Sequence, residues 1–374
     1  MTLIIALICF AVINLLQNYL YQKYWNKNLS VDLKFQALDC VEGGKNLLEE
    51  VITNAKRLPL PILHVKFRTS RTFIFDNEEN STVSDYYYRN DIFAISGQQI
   101  VTRYLPFTCS KRGCYTINDT SLISTDLFLI NKLYCTISNE SLLYVYPRKV
   151  AMTNFEIPYK SITGQYITNS RLIDDPFEFR SIRKYQPYDN MRSINWKSSA
   201  RNNELLVNTF YTTASREIKV LINLEKHTLI TNDDILEAVI RIASTLISRF
   251  INDNIPLSIE TNGIDLFTNS RISMGAGSSS GHITAIDRSL ARIDLSKNSS
   301  DFIDLLEIIF AESHGNNTYY IIISNNREPD LLKFYNLQKS RQIPVYFIVP
   351  YLALTEQVDM PSEDVFLWEV QPYE

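Results

Sequence analysis

Residues 218–250 read IKVLINLEKHTLITNDDILEAVIRIASTLISRF, and two hydrophobic periods in them decide the fold of the C-terminal half. Ile218, Val220, Ile222 and Leu224 alternate with other residues, which is the period of a strand. Ile235, Val239, Ile242, Leu246 and Phe250 recur at three- and four-residue spacing, which is one apolar face of a helix. Thr231 or Asn232 is placed to cap that helix, with Asp233 and Asp234 at its positive N-terminal end. The alternation of strand and helix continues. Pro256–Glu260 reads as a strand and Phe302–Phe310 as a helix. Tyr319–Ile323 is an unbroken apolar run, as a strand buried on both faces should be. Asp330–Arg341 reads as a helix, and Val345–Val349 and Val365–Val370 as strands. Residues 216–374 are therefore expected to form a parallel sheet covered by helices on both faces. Gly275–Gly281 is expected to be a flexible loop. No Lys-Ser or Lys-Thr follows it, so it is not a Walker loop.

The preceding block has a different period. In Ile62–Phe67, at Thr72–Phe75, Gln99–Leu105 and Leu142–Tyr146, short alternating runs are separated by polar turns. The turns are Glu42-Gly43-Gly44, Asp76–Asn80 and Ser110–Gly113. This pattern predicts an antiparallel β-sandwich over residues 30–150. Residues 151–215 are left as a connecting segment. The chain has 374 residues, which suits two folded domains better than one. A formal charge of -4 gives no basic field for nucleic acid, so no nucleic-acid partner is expected. Gly is scarce at 10 while Tyr (22) and Phe (19) are abundant, which favours aromatic-rich strands over glycine-rich phosphate loops.

The N-terminus reads TLIIALICFAVINLLQNYL over residues 2–20, interrupted only by Asn14, Gln17 and Asn18. About 20 apolar residues span a bilayer as a helix. Tyr19, Tyr21, Tyr24 and Trp25 supply an interfacial aromatic belt, and Lys23, Lys27 and Lys34 follow. Residues 1–22 are therefore expected to be an uncleaved single-pass anchor in the cell membrane, with the bulk of the chain cytoplasmic. A signal peptide would show a basic start and an A-x-A cleavage site. Cys109 and Cys114 flank a plausible hairpin turn and are read as a reduced pair rather than a disulfide.

Residues 175–207, DPFEFRSIRKYQPYDNMRSINWKSSARNNELLV, carry the most specific signal. On the residues alone, Pro187 enters a turn and Asp189 caps a short helix. Met191, Ile194 and Ser198 then share a face, with Trp196 and Ala200 alongside. Two readings stand side by side. Either the helix docks with Trp196 in the core, or Trp and Arg side chains form an exposed patch for a protein partner. The order and spacing of Phe177, Glu178, Phe179, Arg183, Tyr185, Pro187, Asp189, Arg192, Ile194, Trp196, Ala200 and Arg201 resemble a family signature. It is that of domain-of-unknown-function family 58, DUF58, written F-E-F, R-x-Y, P-G-D, R-x-I-D-W and A-R. Lys111–Tyr115 is similar to its R-R-G-x-Y turn and Val145–Arg148 to its V-Y-P strand end. Tyr188 stands where the family has Gly, and Asn195 where it has Asp.

The resemblance implies a bacterial membrane protein of α+β multidomain architecture. Its C-terminal domain would be von Willebrand factor A-like (Rossmann-like), and its partner a MoxR-type AAA+ ATPase in the assembly or maturation of other proteins. A typical A domain binds Mg²⁺ through D-x-S-x-S at the end of its first strand, where hard oxygens meet on one loop. Here Asn223, Glu225 and His227 occupy those positions, so no metal and no cofactor is expected. No H-E-x-x-H motif is present, and the expectation is a non-catalytic binding module. The alternatives are an outward-facing surface adhesin and, more remotely, a hydrolase whose site is assembled only in the fold.

Overall fold

The computed structural model describes residues 2–151, 156–170, 179–186, 191, 194–210, 217–226, 233–297, 299–312, 318–352 and 364–370. It divides into two compact units, the first Met1–Arg148 with Leu290–Arg292, the second Lys149–Ser289 with Ile293–Glu374.

The first unit opens with helix α1 (Thr2–Tyr24), long and apolar enough to cross a membrane. Its C-terminal end enters the protein: Tyr21 and Trp25 are buried in an apolar cluster with Val31, Ile52, Leu63 and Val65. Ten strands follow in two sheets. The strands β1 (Leu29–Phe35), β3 (Lys45–Asn54), β8 (Gln99–Cys109) and β5 (Phe73–Phe75) lie in that order in one antiparallel sheet. The other sheet runs β2 (Asp39–Val41), β10 (Lys132–Tyr146), β9 (Gly113–Thr125), β4 (Leu60–Ser70), β7 (Tyr86–Ile95) and β6 (Ser81–Val83). Strict alternation of burial along β1 and β3 is the sign of sheets with one face in a core. The expected β-rich block is thus present. The turn 110–112 is not a hairpin, however. β8 pairs with β3 and β5, whereas β9 pairs with β10 and β4, so the turn carries the chain from one sheet to the other. All five cysteines are free.

The inward row of β3 is Asn46, Leu48, Glu50, Ile52 and Asn54. Leu48 belongs to an aromatic-rich cluster with Phe73, Phe75, Tyr87 and Phe107, and Ile52 to the cluster that holds Trp25. Glu50, between them, is fully buried. On β7 the same interruption occurs, where Arg89 and Asp91 stand between Tyr87 and Ile95. Arg89 Nε donates to Asp91 Oδ2 at 2.6 Å, and Arg103 Nη1 lies 2.9 Å from Asp91 Oδ1. A charged layer therefore separates two apolar clusters.

The second unit holds a six-stranded sheet. Its strands are β13 (Glu217–Ile222), β14 (Leu257–Ile264), β15 (Arg271–Gly277), β16 (Thr318–Ile323), β17 (Val345–Leu352) and β18 (Val365–Val370). The order is β15-β14-β13-β16-β17-β18. Every neighbouring pair is parallel except β14 with β15, which is antiparallel. Helix α4 (Asp233–Asn252) follows β13 and is almost wholly buried from Leu236 to Ile247. The expected caps Thr231 and Asn232 lie outside the described residues. Helices α5 (Ser280–Ala291), α6 (Phe302–Glu312) and α7 (Pro329–Ser340) complete the unit.

Two expectations need correction. Residues 275–281 are not a free loop. Gly275–Gly277 end β15, and Ser280 and Gly281 open α5. A Cβ at Gly277 would lie 2.7 Å from the His282 ring, whose Nε2 sits 3.0 Å from Leu257 O, so glycine permits a close strand–helix approach. The segment 151–215 is also more than a connector. It contains α2 (Glu156–Ser170), which buries Tyr159 and Ile162 and hydrogen-bonds Tyr346 Oη through Gln165 Oε1 at 2.5 Å.

Candidate functional site

In an open α/β sheet, ligands bind beyond the carboxyl ends of the strands, where the strand order reverses. Here the reversal lies between β13 and β16, and the chain leaves those strands at Asn223 and Ser324. Both residues are fully buried, as is Asn262 on β14. Asn223 Oδ1 accepts from Asn262 Nδ2 (3.0 Å) and from Glu225 N (2.9 Å). Asn223 Nδ2 donates to Ser324 Oγ at 2.9 Å. Asn262 Oδ1 takes Leu224 N at 2.8 Å, and its amide also donates to Ser300 O at 3.0 Å. Ser324 Oγ further accepts from Asn326 N at 3.0 Å.

The network ties three strand ends together with neutral amides and a hydroxyl. A hard divalent cation needs several oxygens, with carboxylates among them. Asn223 Oδ1 already accepts two N–H groups, and among the described residues no group of three His, Cys, Asp or Glu is placed to hold a metal. The residues present do not fit the Mg²⁺ of a typical A domain. His227 lies outside the described residues.

A second polar cluster uses Lys149, Ser244 on α4 and Asp287 on α5. Lys149 Nζ donates to Ser244 Oγ and to both Asp287 oxygens at 3.1 and 3.0 Å, while Ser244 Oγ donates to Asp287 Oδ1 at 2.6 Å. Burial lowers the Lys149 amine below its ordinary range, and Asp287 opposes that fall. A serine–lysine pair can be a nucleophile and its base. Here the serine is fully buried and its proton is given to a carboxylate, so the arrangement fastens Lys149 to two helices. Val150 N adds a bond to Thr245 Oγ1 at 2.9 Å.

The signature residues fall partly outside the described chain: Phe177, Glu178, Pro187, Asp189 and Arg192 do so, and Tyr188 with them. The others form a small substructure. β11 (Phe179–Lys184) pairs antiparallel with β12 (Leu206–Phe210), and α3 (Trp196–Asn202) lies between them in sequence. Ile194 bridges Val207, and both are buried. Tyr185 N donates to Leu205 O, and Arg183 Nη1 to Lys184 O. The described helix starts at Trp196, and Asn195 is its N-cap: Oδ1 accepts from Ser198 N at 3.0 Å, and Nδ2 reaches Asn208 Oδ1 at 2.8 Å. Asn and Asp cap equally well, so the exchange at 195 keeps this role.

Trp196 is not in the core. It is 62% exposed, because it begins a seven-residue helix whose buried face is Ser199. Met191, Leu205 and Ile182 are exposed as well, and so are Arg183, Lys197, Ala200 and Arg201. The spacing of Trp196 gave no sign of which face turns outward, since so short a helix has room for only one buried turn.

Comparisons with known proteins bear on separate parts of the chain. No curated protein matches it. Among solved structures, a non-cellulosomal cohesin from the archaeon Archaeoglobus fulgidus is 11% identical, with a TM-score of 0.23, covering 33% of this chain and 94% of its own. The cohesin CaCohA2 from Clostridium acetobutylicum is 14% identical, with a TM-score of 0.22, covering 32% and 92%. The seventh PapD-like domain of human CEP192 is 10% identical, with a TM-score of 0.20, covering 31% and 86%. Residues 181–324 match the model of the family described as "Protein of unknown function DUF58". That span runs from β11 through the signature helix to Ser324 at the strand reversal, and it supports the resemblance to DUF58 read from residues 175–207.

Proposed function

We propose that this protein is a non-catalytic, membrane-anchored binding and assembly module whose partner is a MoxR-type AAA+ ATPase. One observation carries the reading. Trp196, Met191, Leu205 and Ile182 are exposed, as are Arg183, Lys197 and Arg201, all within the signature substructure. Exposed Trp and Arg are the residue types that dominate binding energy at protein interfaces. A fold has no need to leave a tryptophan in water, whereas a partner's pocket can cover it.

The reading of the α/β unit as a von Willebrand factor A-like domain draws support from its strand order, which is 3-2-1-4-5-6 with an antiparallel edge strand third in sequence. In such a domain the metal site at the strand reversal would capture acidic ligands. With Asn223, Asn262 and Ser324 locked together, that mode is lost and recognition passes to the signature patch. The helix α1 holds the module at the membrane, with the two units in the cytoplasm.

The test is co-purification of the full chain with the AAA+ ATPase, using Trp196→Ala and Arg201→Ala. Both variants should melt like the parent, since both side chains are exposed. Binding should fall at least about tenfold, equivalent to about 1.4 kcal/mol. Undiminished binding in both variants sinks the patch as the interface.

A further inference from the structure

We propose that the β9–β10 turn, Leu127–Ile130, is a second membrane contact that dips into the same bilayer as α1. The turn presents four large apolar side chains in succession to solvent: Leu127 (52% exposed), Phe128 (39%), Leu129 (54%) and Ile130 (61%). A run of this kind on a soluble surface invites aggregation unless something covers it. The fold holds the run out rather than letting it collapse. Asp126, fully buried at its base, accepts from Ile130 N at 2.8 Å and from Asn131 Nδ2 at 2.9 Å. Leu129 N donates to Asp126 O at 3.1 Å, and Leu129 itself sits at φ 60°, a costly backbone for a branched side chain.

What covers the run is indicated by its neighbour. Phe128 packs its ring on Phe10 of α1, with centroids 5.7 Å apart. Gln17 of α1 bonds the base of the turn twice, donating to Asp126 Oδ2 at 3.2 Å and accepting from Leu127 N at 3.3 Å. The turn is therefore fixed alongside the helix at the level of Phe10. Tyr19 lies nine residues further along, about 13 Å at the helical rise of roughly 1.5 Å per residue. Tyr19, Lys23 and Tyr24 are of the types that mark a membrane interface, so the apolar tip lies on the hydrocarbon side of that belt. Lys132 and Tyr134, both exposed, follow the tip and have the charged and amphipathic heads that reach back to headgroups. The occupant is lipid acyl chain: the surface is continuous with the exposed apolar face of α1, it has no charge at its tip, and the N–H groups of Leu127, Leu129 and Ile130 are bonded inward onto Gln17 and Asp126. The consequence is that the sandwich is seated on the bilayer at two points and cannot swing freely about the end of α1.

The inference rests on the reading of α1 as a membrane anchor, and one experiment separates the two. Benzoylphenylalanine is incorporated singly at Leu129, at Ile5 on α1 and at Ser138 on β10. The full chain is reconstituted in vesicles of phosphatidylethanolamine and phosphatidylglycerol and irradiated. Ser138 lies six residues up the strand from Lys132, about 20 Å away, and serves as the aqueous reference. Lipid adducts at positions 5 and 129, and none at 138, are expected. A lipid adduct at 5 without one at 129 overturns the second contact and leaves the anchor standing. A protein–protein adduct at 129 overturns it too, since the occupant is then a second copy or another membrane protein. Lipid adducts at neither 5 nor 129 overturn both readings.

Discussion

At the scale of single residues, the sandwich contains a carboxyl group whose ionisation works against folding. Burial, with help from Asp91, pushes Glu50 up from 4.5 to about 8, against the pull of Arg103 and Arg89. Among the described residues neither Glu50 oxygen has a hydrogen-bond partner. A carboxyl with a raised folded pKa holds its proton in the native state where the unfolded chain has lost it. Stability is thus greatest below about pH 4.5, as far as this group goes, and falls as pH rises from there through about 8. Glu50→Gln removes that slope. Its melting temperature should rise relative to the parent from pH 5 to pH 8, with the stability difference reaching a few kcal/mol, roughly the linkage value of a shift of this size. Melting curves at pH 5, 6.5 and 8 check this, and a constant difference contradicts it. Asn223 acts in the opposite sense, as a neutral residue whose amide is hydrogen-bonded in its buried site. Asn223→Ala strands Ser324 Oγ, Glu225 N and an Asn262 amide hydrogen in a closed site. A loss of about 2–4 kcal/mol in urea unfolding is expected. Millimolar Mg²⁺ should leave the parent's melting temperature unchanged; a rise would mean the amide network yields to a cation.

At the scale of elements, what the sequence made legible was whatever repeats along the chain. The 3.6-residue period of α4 and the apolar runs of β16 and β17 could be read directly, because burial of a long element imposes its period on many residues. α2 was missed because few of its residues repeat: Tyr159 and Ile162 carry its burial, and Gly164 lies within it. β15 was missed because an edge strand with one neighbour and two glycines, Gly275 and Gly277, has little burial to record. The candidate site was legible only as one polar residue, Asn223, at the end of an expected strand. Its partners Asn262 and Ser324 are 39 and 101 residues away, and no local pattern joins them. Trp196 shows a further limit, since hydrophobicity does not say whether an aromatic faces a core or a partner. α3 supports a direct test of the cap. Asn195→Asp should be neutral within a few tenths of a kcal/mol, and Asn195→Ala should cost about 1 kcal/mol or more. Equal loss in both variants would place the weight on the Nδ2 bond to Asn208 instead of the cap.

At the scale of the whole molecule, the proposed function requires both units to lie on the cytoplasmic side of a membrane that α1 crosses. The helix α1 carries no charge until Lys23 in its last turn, and Lys27 and Lys34 follow within the first strand region. Lysines near the end of a span are retained on the cytoplasmic side. Burial and the neighbouring Cys40 push the Cys109 thiol up, which makes it poorly suited to oxidation. An ATPase that draws on cytoplasmic nucleotide can reach the Trp196 patch only if the second unit lies on that side. The adhesin reading needs the reverse. Protease added to intact protoplasts should therefore leave the chain from β1 to β18 whole, and the same protease should cut it after lysis. Cleavage in intact protoplasts would put both units outside and remove the ATPase as a direct partner. It would leave the Leu127–Ile130 contact untouched, because that contact depends on the helix beside it and not on which leaflet the helix enters from.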